Sequence, residues 1–201
     1  MIGIVDYGTS NLLSLTKAIE ELGAKFIVLD DNSDLKDIDK VIFPGIGSFD
    51  FCISSLRKKK WFDELENKVL KDEMPILGIC IGYHILFKKS SEGTLAGLSW
   101  LEGDVEIIKS DTEQIKIPHM GWSSIKVKEN SKILFDVKNA EFYFLHSYRA
   151  RLKNDSIVSA ICEYGEELPV AVEYKNLFGV QFHPEKSFSQ GLKVLNNFSK
   201  I

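Results

Sequence analysis

Cysteine is scarce in this chain. Its 201 residues include three, Cys52, Cys80 and Cys162, with no close pair. That argues against a disulfide framework, and without CxxC or clustered Cys/His spacing no metal site is expected. Long apolar runs are missing too. None approaches the roughly 18 residues that a membrane span needs, so no membrane association is expected. The opening MIGIVDYG is an apolar strand pattern without the basic segment of a secretory leader, which points to a cytoplasmic protein. Positive charge is not in excess. The net charge of -4 argues against a phosphate-backbone binder, and no nucleic-acid partner is expected. The one basic run, Arg57 to Lys60, follows a helical pattern and reads as a solvated helix end. Repeats, low-complexity tracts and long linkers are absent.

What is present is enough apolar material, 44% hydrophobic and 11% aromatic, for one sizeable core. A single domain over residues 1–201 is expected. The first half alternates. IGIVD (2–6), KFIVLD (25–30), DKVIFPG (39–45) and PILGI (75–79) read as strands. Residues 10–22, 48–72 (broken near Lys60) and 81–89 read as helices. This alternation indicates an α/β fold with a parallel sheet covered on both faces. The second half is different. DVEIIK, IKIPHMGWSSIKV, EFYFLHSYRA, SIVSAICEY, LPVAVEY and LFGVQFH are strand-like and joined by short polar turns, as antiparallel hairpins are. A last amphipathic helix is expected over 190–200.

Chemistry concentrates at a few places. Cys80 lies in Gly78-Ile79-Cys80-Ile81-Gly82, where a parallel strand meets a helix. Ligands bind beyond the carboxyl ends of such strands, and a sharp turn there can hold a nucleophile as it holds the serine of the α/β-hydrolases. The plain alternative is a small core thiol, and the turn alone does not choose between them. A thiol nucleophile needs a base. GVQFHPEKS runs a strand into His183, with Glu185 two residues on to orient the imidazole. The alternative is a strand-end histidine beside a surface glutamate. FPGIGSF (43–49) follows the third strand. Its glycines, Gly45 and Gly47, would allow backbone N–H groups to form an oxyanion hole with the N–H of Ile81; otherwise it is only a strand-to-helix turn. Cys52 and Cys162 have neither context and read as structural.

GICIG, with HPE about a hundred residues later, resembles the class I, triad-type glutamine amidotransferases. DYGTSNL, FPGIGSF, PHMGWS, FLHSY and GVQFHPEKS, in that order and across nearly the whole chain, resemble the glutaminase subunits of imidazole glycerol phosphate synthases. The resemblance implies a flavodoxin-like glutaminase fold whose central sheet is mixed and mainly parallel, with antiparallel strands in the second half. It implies hydrolysis of L-glutamine without a cofactor, Cys80 being nucleophile, His183 base and acid, and Glu185 the orienting carboxylate. His146, Ser147, Tyr148 and Glu92 match substrate-side positions. Pro118, His119, Met120, Trp122 and Asn11 match positions facing a (β/α)8-barrel cyclase, with which a heterodimer and ammonia transfer are implied. At one place the chain departs from the pattern. The family has a substrate-holding glutamine four residues after the cysteine, and here His84 stands there. It can still donate one hydrogen bond to substrate. The departure leaves open a subunit serving another synthase, such as one aminating a surface sugar, or a non-catalytic docking subunit.

Overall fold

Apolar runs of four residues recur early in the chain, and each becomes a strand. β1 (Ile2–Val5) and β4 (Ile76–Ile79) are buried throughout, and β3 (Lys40–Phe43) is buried after its first residue, as strands covered on both faces should be. β2 (Phe26–Leu29) is more open because it forms the edge. The computed structural model describes residues 1–8, 12–109, 115–137 and 140–201. Among these, no helix is long and apolar enough to cross a membrane.

Between the strands lie α1 (Leu13–Glu21), α2 (Phe49–Lys58) and α3 (Phe62–Leu70). The last two are the expected 48–72 helix, parted where Lys59 turns extended. α1 packs on one sheet face with the C-terminal α5 (Phe188–Ser199). There Leu15, Ile19, Val194 and Phe198 meet Ile4, Ile42 and Ile79. On the other face Ile53, Leu56 and Leu65 from α2 and α3 cover Val5, Phe43 and Ile76. Each such side chain contributes about 1.5–3 kcal/mol when fully buried, so the two apolar helix faces largely decide which way the sheet is sandwiched.

The second half supplies β5 (Gly103–Ile107), β6 (His119–Val127), β7 (Glu141–His146), β8 (Tyr148–Leu152), β9 (Val158–Tyr164), β10 (Glu166–Tyr174) and β11 (Leu177–Val180). The main sheet has nine strands in the order β2-β1-β3-β4-β11-β10-β9-β6-β7. The pairs from β2 to β11 are parallel, and those from β11 to β7 antiparallel. The mixed sheet expected from the sequence is therefore the one observed. β11 joins its two parts. It leaves β10 by a hairpin and lies parallel to β4, with Ile79 beside Val180.

Two expectations need correction. EFYFLHSYRA is not one strand. It breaks at Ser147, β7 staying in the main sheet while β8 pairs with β5 in a separate ribbon. The helix expected over 81–89 is a single turn, α4 (Ile81–His84). After it the carbonyls of Ile85, Leu86, Phe87 and Lys88 accept from the N–H groups of residues 97–101, which fold back over them. Those acceptors are no longer free to continue a helix, and every residue from Ile81 to Phe87 is buried, leaving no polar face.

Candidate active site

The turn after β4 bends at the cysteine itself. Cys80 has φ +49°, ψ −107°, a conformation an L-residue holds at a cost of about 1–3 kcal/mol. The flanking glycines serve close approach instead. A Cβ on Gly78 would lie 2.5 Å from the Gly82 carbonyl oxygen, and one on Gly82 would lie 2.0 Å from the Phe43 carbonyl oxygen. The bend puts Cys80 on the wall of a cavity while 8% of its surface stays accessible. Its Sγ lies 3.7 Å from the Leu145 carbonyl. Because α4 is one turn, its dipole is small, and the groups around the sulfur come mainly from neighbouring strands.

The nearest of these strands is β11. Cys80 N–H donates to the Val180 carbonyl at 2.8 Å, so the two chains leave the sheet side by side. His183, three residues further, comes beside Cys80, close enough for the thiol to influence its titration. Its Nδ1–H donates to Glu185 Oε1 at 2.8 Å. Burial opposes the imidazolium, but Cys80 and Glu185 outweigh it through hydrogen bonds and charge, and the His183 pKa rises to about 10. The adjacency of β4 and β11 is what brings together a cysteine and a histidine a hundred positions apart. Gly45 fits the crowded space between them, where a Cβ would be 2.9 Å from His183 Cε1 and 3.0 Å from Cys80 Cβ.

The Phe43-to-Phe49 segment crosses the same edge from β3. Gly47 adopts φ +105°, which favours glycine. Cys52 on α2 donates its Sγ–H to the Ile46 carbonyl at 3.2 Å, and burial lifts the Cys52 thiol to about 12, so it remains a donor. In a trans peptide C=O and N–H point opposite ways, so Gly47 N–H is turned away from α2. Cys52 thus has a local role that the sequence did not suggest.

Gly47, Cys80, Ile81, His84, Glu92, Pro118, Leu145, His146, Ser147 and Tyr148 line one cavity of about 300 Å³. Glu92 comes from the loop that folds back after α4. Asp50 anchors that loop, accepting from the N–H groups of Thr94 and Leu95, which lower its pKa. Burial raises the Glu92 carboxyl, against a hydrogen bond from the Phe49 N–H. A larger cleft of about 610 Å³ lies by β8 and β10, but its Arg149 is engaged by Glu106 and Glu166 and it shares no lining residue with the Cys80 cavity.

The other expected residues fall in two groups. Met120 and Trp122 are on the outer surface, Met120 being 64% exposed, and Trp122 stacks on Phe188 with centroids 5.1 Å apart. His119 points inward. It is buried between Phe144 and Tyr164, its Nδ1–H donates to His146 Nε2 at 3.0 Å, and its Nε2 accepts from Ser123 at 2.8 Å. That tautomer is required because His146 uses Nδ1–H on the Tyr148 carbonyl. Asn11 lies outside the described residues. Missed at the sequence level was Gln181, buried beside Cys80. Its Nε2 lies 3.7 Å from Cys80 Sγ and its Oε1 2.7 Å from His84 Nε2. A usable signal existed, since Cys80 and Gln181 each directly follow an apolar run of similar length.

The chain matches the family model for glutamine amidotransferase class-I over residues 3–201. The imidazole glycerol phosphate synthase subunit HisH of Leptospira interrogans is 37% identical over 204 residues, spanning 100% of both chains. The protein of that name from Geobacillus thermodenitrificans is 40% identical over 205 residues, covering 100% of this chain and 96% of its own. Among solved structures, one described as a glutamine amidotransferase superposes with a TM-score of 0.77 at 19% identity, covering 100% of this chain and 99% of that one. At that identity the likeness speaks for the fold alone.

Proposed function

We propose a function from the premise that this chain belongs to the class-I glutamine amidotransferase family, and within it to the imidazole glycerol phosphate synthase HisH subunits. The chain is a glutaminase that hydrolyses L-glutamine and supplies ammonia to a synthase subunit that closes the imidazole ring in histidine biosynthesis. The observation that carries the residue assignment is the bent Cys80, set beside a His183 that Glu185 holds through Nδ1.

Cys80 sulfur attacks the carboxamide carbon and a C–S bond forms. The N–H groups of Gly47 and Ile81, on the cavity wall, hold the developing oxyanion. Gly45 keeps the oxyanion strand close to Cys80 and His183. As the C–N bond breaks, His183 passes its Nε2 proton to the departing ammonia. Water then attacks the thioester, His183 takes the water proton, and the C–S bond breaks to release glutamate. The balance is L-glutamine and water to L-glutamate and ammonia, with Cys80 regenerated. Glu185 stabilises the imidazolium. Glu92, Ser147 and Tyr148 hold the amino-acid end of the substrate, while His146, both of its ring nitrogens engaged, fixes the wall they stand on. His84, expected on the substrate, has Nε2 committed to Gln181 and acts from behind the sulfur.

The partner is a (β/α)8-barrel cyclase in a cytoplasmic heterodimer. Its docking face includes exposed Met120 and the Trp122–Phe188 stack, with Pro118 at the cavity wall leading the ammonia out. Affinity purification with the chain as bait, followed by glutamate-release assays on the recovered complex with its acceptor ligand, tests this. A barrel cyclase and glutamine-dependent ring closure are expected. A sugar-aminating synthase as the stoichiometric partner would overturn the histidine role. Full glutamate release by Cys80→Ala would overturn the chemistry.

A further inference from the structure

The residue at which the chain departs from its family has a structural explanation next to the sulfur. β4 and β11 run parallel with Ile79 beside Val180, so the next residues, Cys80 and Gln181, leave the sheet together. Gln181 is 1% exposed and His84 3%. The Gln181 amide bridges them, Nε2 lying 3.7 Å from Cys80 Sγ and Oε1 2.7 Å from His84 Nε2.

We propose that Gln181 is a catalytic hydrogen-bond donor to the Cys80 sulfur and that His84 is the positioning residue that fixes its amide. The reading rests on Cys80 being the nucleophile and adds a second donor beside His183. Chemistry dictates the orientation. A thiolate only accepts hydrogen bonds, so the NH₂ end of Gln181 must face the sulfur. Oε1 is then turned to His84, and as an acceptor it requires a proton on His84 Nε2. Burial keeps His84 neutral, its pKa held down at about 4, so one ring proton is available and Gln181 takes it on Nε2. Without His84 the buried amide has no partner to prevent it from flipping and presenting its oxygen to the sulfur. The amide also has a counterpart to offset, because the Leu145 carbonyl at 3.7 Å accepts from the thiol but repels a thiolate. Among the described residues, the other titratable groups around Cys80 are His183 after β11, His146 at the end of β7, Tyr148 at the start of β8, Cys52 on α2 and Glu92 from the loop that folds back. Of these, His146 is coupled to His84 by charge, a coupling that vanishes while both rings are neutral, above about pH 4.

The test is the pH profile of Cys80 alkylation by iodoacetamide, mapped by peptide mass spectrometry on the full chain. Iodoacetamide is small and neutral and requires neither glutamine nor a partner subunit, so the profile can be read even if the glutaminase reading fails. In Gln181→Met the midpoint should rise by about one pH unit, which is about tenfold slower alkylation below it. His84→Phe should move it the same way. His84→Gln, whose amide can donate at similar reach, should restore it to within about a third of that shift. With partner present, Gln181→Met and His84→Phe should lower kcat for glutamine with little change in KM. If Gln181→Met does not fold, His84→Phe reads the same link. An unchanged midpoint in the folded variants, or a shift in His84→Gln as large as in His84→Phe, would overturn the proposal. So would a loss confined to KM, which would return His84 to substrate binding.

Discussion

Three of the four histidines divide between two regions that treat them oppositely, while burial holds the fourth, His84, down at about 4. At the parallel edge, between β4 and β11, His183 lies against Cys80 and Glu185, and its pKa rises to about 10 despite burial. At the antiparallel tip, between β6 and β7, His119 and His146 face each other, aromatic rings and backbone. Burial holds them down at about 4 and about 3, with neighbouring histidines adding to the effect on His146. Burial is common to both regions; the neighbours differ. Acceptor and negatively charged neighbours make a buried imidazole a cation; where they are lacking, burial keeps it neutral. The first arrangement can donate a proton to a leaving group, while the second fixes tautomers and holds the Leu145-to-Tyr148 wall of the cavity in place.

The contrast breaks most visibly at Glu185. Glu185→Gln should cut glutamate release by about 10³-fold, since the amide can present its NH₂ group to His183 and favour the wrong tautomer. In the same variant the His183 pKa, followed by NMR of the imidazole, should fall from about 10. Next in size is a steric test of the edge itself. Gly82→Ala drives a methyl into the Phe43 carbonyl, and urea melts should show a loss of about 3 kcal/mol, whereas Gly121→Ala, with nothing within 4 Å of the added atom, should lose less.

The antiparallel tip predicts a smaller and oppositely directed effect. Its histidines have depressed folded pKa values. Their stabilising contribution is present above pH 6.5, the unfolded value, and is lost as pH falls through about 4 and about 3. In that window the unfolded chain binds protons that the folded chain refuses. His119→Phe removes one of them. The slope of unfolding free energy against pH between 6 and 4.5 should therefore fall by about 1.4 kcal/mol per unit. His183 behaves inversely. Its contribution is present below pH 6.5 and is lost as pH rises through about 10. The smallest expected effect is at Cys52. Cys52→Ala frees the Ile46 carbonyl and should lower kcat a few-fold, with Cys52→Ser recovering most of it.

Legibility in the sequence followed the same division. The early strands could be read because fully buried parallel strands are short uninterrupted apolar runs, as IGIV and ILGI are. Cys80 and His183-Pro184-Glu185 stood out through the ordered motifs GICIG and HPE, since the turn alone left Cys80 undecided. Other features depend on contacts distant in sequence. α4 is one turn because residues 97–101 take the carbonyls that would have extended it. β7 and β8 part at Ser147 because β8 finds β5. His119 sits beside exposed Met120, and strand alternation shows that the two face opposite ways but not which faces inward. Gln181 was hidden in a family motif, and only the β4–β11 register reveals what it touches.

The central claim is that the parallel edge makes Cys80 a nucleophile. It is tested most directly by acid-quenching the chain with its partner and L-glutamine and mapping the trapped acyl group by mass spectrometry. A glutamyl thioester is expected on the Cys80 peptide, lost in Cys80→Ala together with glutamate release. A glutamyl group mapped to Cys52, or wild-type turnover by Cys80→Ala, would contradict it.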